Sequence, residues 1–409
     1  MRVGHIVQQL SVMKKKWIDF NHTYQKFWEN SLIISLCLAF ILSDWMLGIF
    51  SFSDYLFGVL FIMMMLSNNF KIRPEQYKWI IIVLSILSFN ILQNYIINDA
   101  FILKTGLAGF LKIATYTIVI IGLYNFFEYY KLEKKLIYSM NVTAVIVCLI
   151  GFYISIALYS EGYLPYEFFW YFTRTDAISY LFEGSDNLYR LRSIFSEPSY
   201  LGYYLNIILG VNIFNKKKIK TNNYFILLLI LTIILTFSYS SIAILALTLV
   251  LQFFSIETFK NFKQKKFNYI YLVVILVVIG VLFFITKDII QVTLIDRTLD
   301  IINGKDSSAS SRLLESWQYI NKENLISGNG IGHTPDIWNV YAYFLSDIGI
   351  IAFGALILLS GYLVKINYKL GILFIALNFQ KGGYLAAPFY IFLLLIFLFA
   401  YKKRSDIRL

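Results

Sequence analysis

A chain of 409 residues that is 58% hydrophobic and only 15% charged, with a mean hydropathy of +0.66, carries more apolar surface than a soluble domain of this length can hide. Lipid is the expected solvent, and the long unbroken apolar runs exclude alternating barrel strands, so the expected fold class is an all-α polytopic membrane protein. The formal charge of +12 does not point to nucleic acid, because most Lys and Arg fall in short loops that alternate along the chain, as the positive-inside rule requires.

Residues 1–30 are polar and basic, with Lys14, Lys15, Lys16 and Lys26, and lack the apolar core and cleavage site of a signal peptide. They are expected in the cytoplasm. Spans are expected at about 31–49 and 52–67, joined as a tight hairpin, then at about 77–97, 106–127 and 136–159. Lys71, Arg73 and Lys78 mark one inside loop, and Lys131, Lys134 and Lys135 another.

A polar segment at 160–194 then holds Glu161, Glu167, Arg174, Asp176, Glu183, Asp186, Arg190 and Arg192, and parity places it outside. Span six (198–214) returns to Lys216, Lys217, Lys218 and Lys220. Spans seven (223–238) and eight (241–256) form another hairpin, followed by Lys260, Lys263, Lys265 and Lys266, and span nine covers 268–286.

The second outer segment runs over 287–337. Val292, Ile295, Leu299 and Ile302 repeat at helical spacing, which predicts a helix on the membrane surface. Ser310 or Ser311 is expected to cap another helix carrying Leu313, Leu314, Trp317 and Ile320. Gly328-Asn329-Gly330-Ile331-Gly332 then predicts a bend that uses glycine's backbone freedom. Spans ten (338–360), eleven (368–379, short enough to be broken or half-depth) and twelve (384–401) complete about 12 transmembrane helices in a single integral membrane domain over 1–409. Two large outer loops and both termini in the cytoplasm follow from this path.

Cys37 and Cys148 lie inside apolar runs without ligand-type neighbours and read as packing residues. His5 and His22 belong to the basic amino-terminal segment, and only His333 is expected on the outer side. A histidine metal centre is therefore excluded there, a carboxylate-bound cation is unsupported, and no cofactor is expected.

The ionisable groups not spent on anchoring gather in the two outer segments. Arginine forks match phosphate oxygens and stay charged at every relevant pH, so Arg190, Arg192 and Arg312 are candidates for holding a lipid pyrophosphate. The plainer alternatives are snorkelling or pairing with Asp186 and Glu183 for the first two, and a surface pair with Glu315 for Arg312. Glu197 precedes Pro198 at the start of span six, where it is either a capping carboxylate or a general base at a cavity mouth.

His333 follows the glycine bend as the second candidate base, against the plainer reading of a solvated loop histidine. Asn339 and Asp347, eight residues apart on span ten, share roughly one helix face and are expected to shape the cavity. Asp44 and Asp54 lie near an outer hairpin where they can reach water, whereas Lys112 has no neighbour in sequence to pair with. Tyr163, Tyr166, Trp170 and Tyr171 are either interfacial belt residues or platforms for sugar rings.

The stretch Arg192-Ser193-Ile194-Phe195-Ser196-Glu197-Pro198-Ser199 resembles the Arg…Phe-x-Glu-Pro-Ser segment of bacterial O-antigen and capsule repeat-unit polymerases, the Wzy family. A second block, Arg312…Trp317, Ile326-Ser-Gly-Asn-Gly330-Ile-Gly332, Asn339-Val-Tyr and Ser-Asp347-Ile-Gly349, looks like the family's second outer loop entering its next span. In the related O-antigen ligases a histidine stands where this chain has Trp338, a departure that favours polymerase.

The resemblance implies a membrane glycosyltransferase at the periplasmic face of the bacterial inner membrane. Its substrates would be undecaprenyl-pyrophosphate-linked oligosaccharides, and its partners a chain-length regulator and a flippase. A hydroxyl of the acceptor repeat unit would attack the anomeric carbon of the donor chain, and polyprenyl pyrophosphate would leave. Glu197, then His333, would serve as base, and Arg190, Arg192 and Arg312 would hold the pyrophosphates. A ligase and a transporter or flippase of the same lipid-linked sugars are the alternatives.

Overall fold

The computed structural model describes residues 23–160, 163–173, 181, 188–253, 297–335 and 337–400. The expected ninth span, Val292 and Ile295, the loop charges Glu161, Arg174, Asp176, Glu183 and Asp186, His5 and His22, the lysine groups at 14–16 and 260–266, and the basic Lys402, Lys403 and Arg404 lie outside the described residues.

The described chain is mostly helical. In order it contains α1 (23–41), the two-residue strands β1 (Met46–Leu47) and β2 (Phe50–Ser51), α2 (Phe52–Leu66), α3 (Pro74–Ile97), α4 (Leu103–Tyr130) and α5 (Glu133–Tyr159). A 3-10 turn at Glu167–Trp170 precedes α6 (Pro198–Phe214), α7 (Asn223–Leu235) and α8 (Tyr239–Phe253). Then come α9 (Arg297–Ile302), α10 (Ser307–Leu313), a 3-10 turn at Glu315–Tyr319, α11 (Val340–Asp347), α12 (Ile350–Ile366), α13 (Tyr368–Gln380) and α14 (Ala387–Phe399). Among the described residues α3, α4 and α5 are long and apolar enough to cross a membrane, and α2, α7, α8, α12 and α14 are shorter apolar helices.

Local chemistry sets several boundaries. Ser51 and Asp54 form a reciprocal capping box at the start of α2. Pro74 and Pro198 occupy the first turns of α3 and α6, where a missing N–H costs nothing.

The turns fall into two groups by contact. At one end the turn after α1 meets the segment before α6, where Trp45 Nε1 donates to the Ile194 carbonyl at 2.8 Å. At the same end Asn98, after α3, donates to the Asn329 carbonyl, and Leu191 donates to the Leu235 carbonyl at the end of α7. At the other, lysine-rich end Arg73 pairs with Glu128, Lys217 with Glu133 at 2.5 Å, and Asn367 Nδ2 reaches the Phe214 carbonyl.

Helix α6 is the core element, with every residue except Tyr200 and Ile213 buried. Large apolar side chains such as Ile81, Leu92 and Ile96 on α3 stay exposed on the periphery. A helix that is apolar on all sides suits a surface solvated by lipid.

Several boundaries differ from the sequence reading. The described part of the first helix, 23–41, ends earlier than the expected 49, and residues 45–51 form a small hairpin in which Met46 pairs with Ser51. The expected span ten is two helices: Gly349 takes φ +88 and ends α11, so the long segment is α12. Helix α13 is short but unbroken and runs beside α6, with Asn367 at the lysine-rich end and Lys381 beside Glu197 at the opposite end. Asp306, not Ser310 or Ser311, caps α10, because its carboxylate accepts the Ala309 N–H at 2.6 Å.

Candidate active site

The segment before α6 is an irregular strap with a turn at 192–195, tied to several neighbouring elements. Arg190 Nε donates to the Thr236 carbonyl at 3.2 Å, and Trp170 Nε1 donates to the Ser193 carbonyl at 2.7 Å. Ser193 Oγ donates to the Val147 carbonyl at 2.6 Å. The Ser196 N–H and hydroxyl both donate to Asp44 Oδ2, the N–H at 2.7 Å. Asp44 is buried, so its role is to anchor this strap rather than to reach water.

Arg192 is 1% exposed. Its guanidinium lies 3.5 Å from the Trp170 ring centroid and donates to the Ser196 carbonyl at 2.6 Å. Trp170 is thereby committed to an arginine and a carbonyl, whereas Tyr163 and Tyr171 remain exposed.

Glu197 is the residue preceding α6, as the sequence suggested, but its side chain does not cap the helix. Both of its hydrogen-bond donors bind one oxygen: Lys381 Nζ donates to Oε2 at 2.7 Å and Ser199 Oγ donates to the same atom at 2.8 Å. Lys381 also donates to Ser199 Oγ at 2.8 Å. Among the described residues Oε1 makes no hydrogen bond, and the Glu197 side chain is 30% exposed while that of Lys381 is 1% exposed. The ammonium sits 3.7 Å from the Tyr200 ring centroid and 4.0 Å from that of Trp338, so aromatic faces take the place of water around it.

Burial acts to raise the Glu197 carboxyl, but Lys381, Ser199 and Arg312 outweigh it and hold it below the usual range. Burial pulls Lys381 down to about 8 against the attraction of Glu197 and Asp44, with Arg312 adding to the decrease. Arg312 therefore lies near enough for its charge to act on both members of the pair. It stands in the last turn of α10, not at the start of a helix as the sequence suggested, and its carbonyl accepts Asn339 Nδ2 at 3.3 Å. Asn339 caps α11 through Oδ1, which accepts the Tyr341 and Ala342 N–H groups. It ties the Arg312 backbone to that helix.

His333 and Asp347 form a second cluster around the glycine bend. Asp347 Oδ1 accepts the Thr334 N–H at 2.7 Å, and Oδ2 accepts the Gly332 N–H at 2.8 Å and the Tyr384 hydroxyl at 2.6 Å. His333 Nε2 accepts the Ile102 N–H at 2.7 Å, which leaves Nδ1 as the protonated nitrogen facing the Ile331 carbonyl at 3.0 Å. The ring stacks on Phe101 at 4.5 Å. Asn90 and Asn94 on α3 and Asn98 just after it recur at four-residue spacing and donate to the carbonyls of Ser327 and Asn329.

The structure thus pairs Glu197 with Lys381, sets Arg312 within range for its charge to act on both, and ties Arg192 and Arg190 into the strap. It gives His333, Asn339 and Asp347 backbone-holding contacts. Lys112 finds its partner in Asp54 at 3.0 Å, and Tyr116 donates to the same carboxylate.

Sequence reading passed over Lys381. Its signal was a lone lysine on the side of the chain where lysines are scarce. The asparagine stripe at 90, 94 and 98 was also readable, as polar residues repeating along one face of an apolar helix.

The fold and the site define an α-helical protein with long apolar helices and an ion pair between a buried lysine and a partly exposed glutamate where two distant segments meet. No family model matches the chain, and no curated protein or solved structure is significantly similar to it.

Proposed function

We propose that the chain polymerises polyprenyl-pyrophosphate-linked oligosaccharide repeat units into O-antigen or capsular polysaccharide. In this reading about twelve spans cross the bacterial inner membrane, both termini are cytoplasmic, and residues 160–194 and 287–337 are the two periplasmic segments. The acceptor hydroxyl loses its proton to Glu197 and forms a bond to the donor's anomeric carbon. The bond from that carbon to the pyrophosphate oxygen breaks, and the diphosphate leaves beside cationic groups.

One observation supports the reading: Glu197, from the segment resembling the polymerases, pairs with Lys381, feels the charge of a second-segment arginine, Arg312, and keeps one carboxylate oxygen open. The sorting of turns into two ends, with the lysine-rich loops together, supports the proposed path across the bilayer.

Arg312 is the guanidinium best suited to the diphosphate, with Arg190 in the strap as a second candidate. Arg192, buried against Trp170, supports the strap that carries Glu197. The test is incubation of the purified, reconstituted chain with lipid-linked repeat units. A ladder of chain lengths is the expected product, a single transfer to lipid A core would indicate a ligase, and no product would favour a transporter.

A further inference from the structure

We propose that Lys381 is a positioning residue for Glu197: with Ser199 it pins Oε2 and so dedicates Oε1 to the incoming hydroxyl. This rests on the reading of Glu197 as the base. A carboxylate free to rotate presents either oxygen in many directions, and an oriented one presents a single lone-pair set. Here two donors on one oxygen, at 2.7 and 2.8 Å, fix the carboxylate plane, and the open oxygen belongs to the more exposed partner of the pair.

The lysine is fixed in turn. It follows α13, its ammonium lies between the Tyr200 and Trp338 rings, and its third contact is Ser199 Oγ. Trp338 thus has a task of its own at the position where the related ligases carry a histidine: it walls in the cation that orients the carboxylate.

The charged groups that act on Lys381 are Glu197, one residue before α6, Asp44 after α1, and Arg312 on α10. The first two favour the ammonium and the third opposes it. Because burial brings Lys381 down to about 8, the clamp is charged at neutral pH and is lost in mildly alkaline solution.

The experiment measures ladder formation by the reconstituted full chain from pH 5 to 9.5 for wild type, Lys381→Met, Lys381→Arg and Ser199→Ala. Wild-type activity should fall above about pH 8. Lys381→Arg, which keeps its charge, should retain activity at pH 9.5. Lys381→Met should lose about 10- to 100-fold in rate, and its acid limb should move to higher pH as Glu197 loses its cation. Ser199→Ala should shift the acid limb in the same direction by less.

A Lys381→Met protein with wild-type rate and an unmoved acid limb would overturn the proposal, as would an alkaline limb unchanged in Lys381→Arg. Should wild type form no ladder at all, the polymerase reading fails by itself. The clamp is then judged by carbodiimide-driven amine labelling of Glu197 across pH, read by mass spectrometry. Labelling needs the protonated acid, so it must extend to higher pH in Lys381→Met, or in Ser199→Ala if the former does not fold, and an unchanged profile refutes the clamp.

Discussion

The Arg192 guanidinium lies face-on to the Trp170 indole, 3.5 Å from its centroid, while the indole N–H donates to the Ser193 carbonyl one residue along the strap. One ring therefore holds both the side chain and the backbone of the segment that delivers Glu197. In a dry setting such a contact contributes about 2 kcal/mol. Arg192→Ala and Trp170→Ala are each expected to lower the thermal unfolding midpoint in detergent, with the double variant losing less than the sum. The Arg192→Lys substitution should not restore stability, because an ammonium cannot stack as a planar guanidinium does.

His333 has one ring nitrogen accepting the Ile102 N–H and the other facing the Ile331 carbonyl. His333→Ala is expected to cost about 1 kcal/mol per lost hydrogen bond in stability. The pH profile of ladder formation should keep its shape. A vanished limb in that profile would restore His333 as the base.

Gly328 has φ +63, and a Cβ there would meet the Ser346 carbonyl oxygen at 2.4 Å. Gly304 has φ +69 with open space around it. Gly328→Ala should therefore destabilise by about 1–3 kcal/mol beyond the loss in Gly304→Ala, which suffers backbone strain without collision. Paired thermal melts give the difference directly.

Lys112 and Asp54 bridge α4 and α2, and Tyr116 donates to the same carboxylate. Removing the lysine alone leaves a largely buried acid without its cation. Lys112→Met is expected to lower stability by about 2 kcal/mol or more. Adding Asp54→Asn should recover part of that loss, as measured by thermal unfolding of both variants.

The Glu197–Lys381 pair gives two pH signs. Glu197 lies below its ordinary 4.5, so its contribution is present above that pH and is lost as pH falls through the folded value. Lys381 lies near 8 against an ordinary 10.5, so between those values the unfolded chain binds more protons and stability from this group rises with pH. Wild type should gain stability relative to Lys381→Met on moving from about pH 8 to 10, and a relative loss would refute the assignment.

Much of the helix pattern was legible because long apolar runs have few alternatives in lipid. Span six was placed at the helix observed, Pro198–Phe214, since Pro198 and the lysines after Phe214 mark both ends. Span ten was misjudged because Ile348 and Ile350 continue an apolar pattern through a glycine whose positive φ is invisible in composition. Asp54 and Lys112, 58 residues apart, could be paired only once α2 and α4 were packed together.

For the site, residue types announced the first segment: arginines and an acid before a proline at the edge of an apolar run. Sequence alone determined that the chain is helical and rich in lipid-suited spans, because hydropathy and lysine placement act locally and add along the chain. Which groups face each other depended on tertiary structure. Glu197 and Lys381 are 184 positions apart, and only the antiparallel packing of α6 and α13 sets an ammonium against one carboxylate oxygen and leaves the other open.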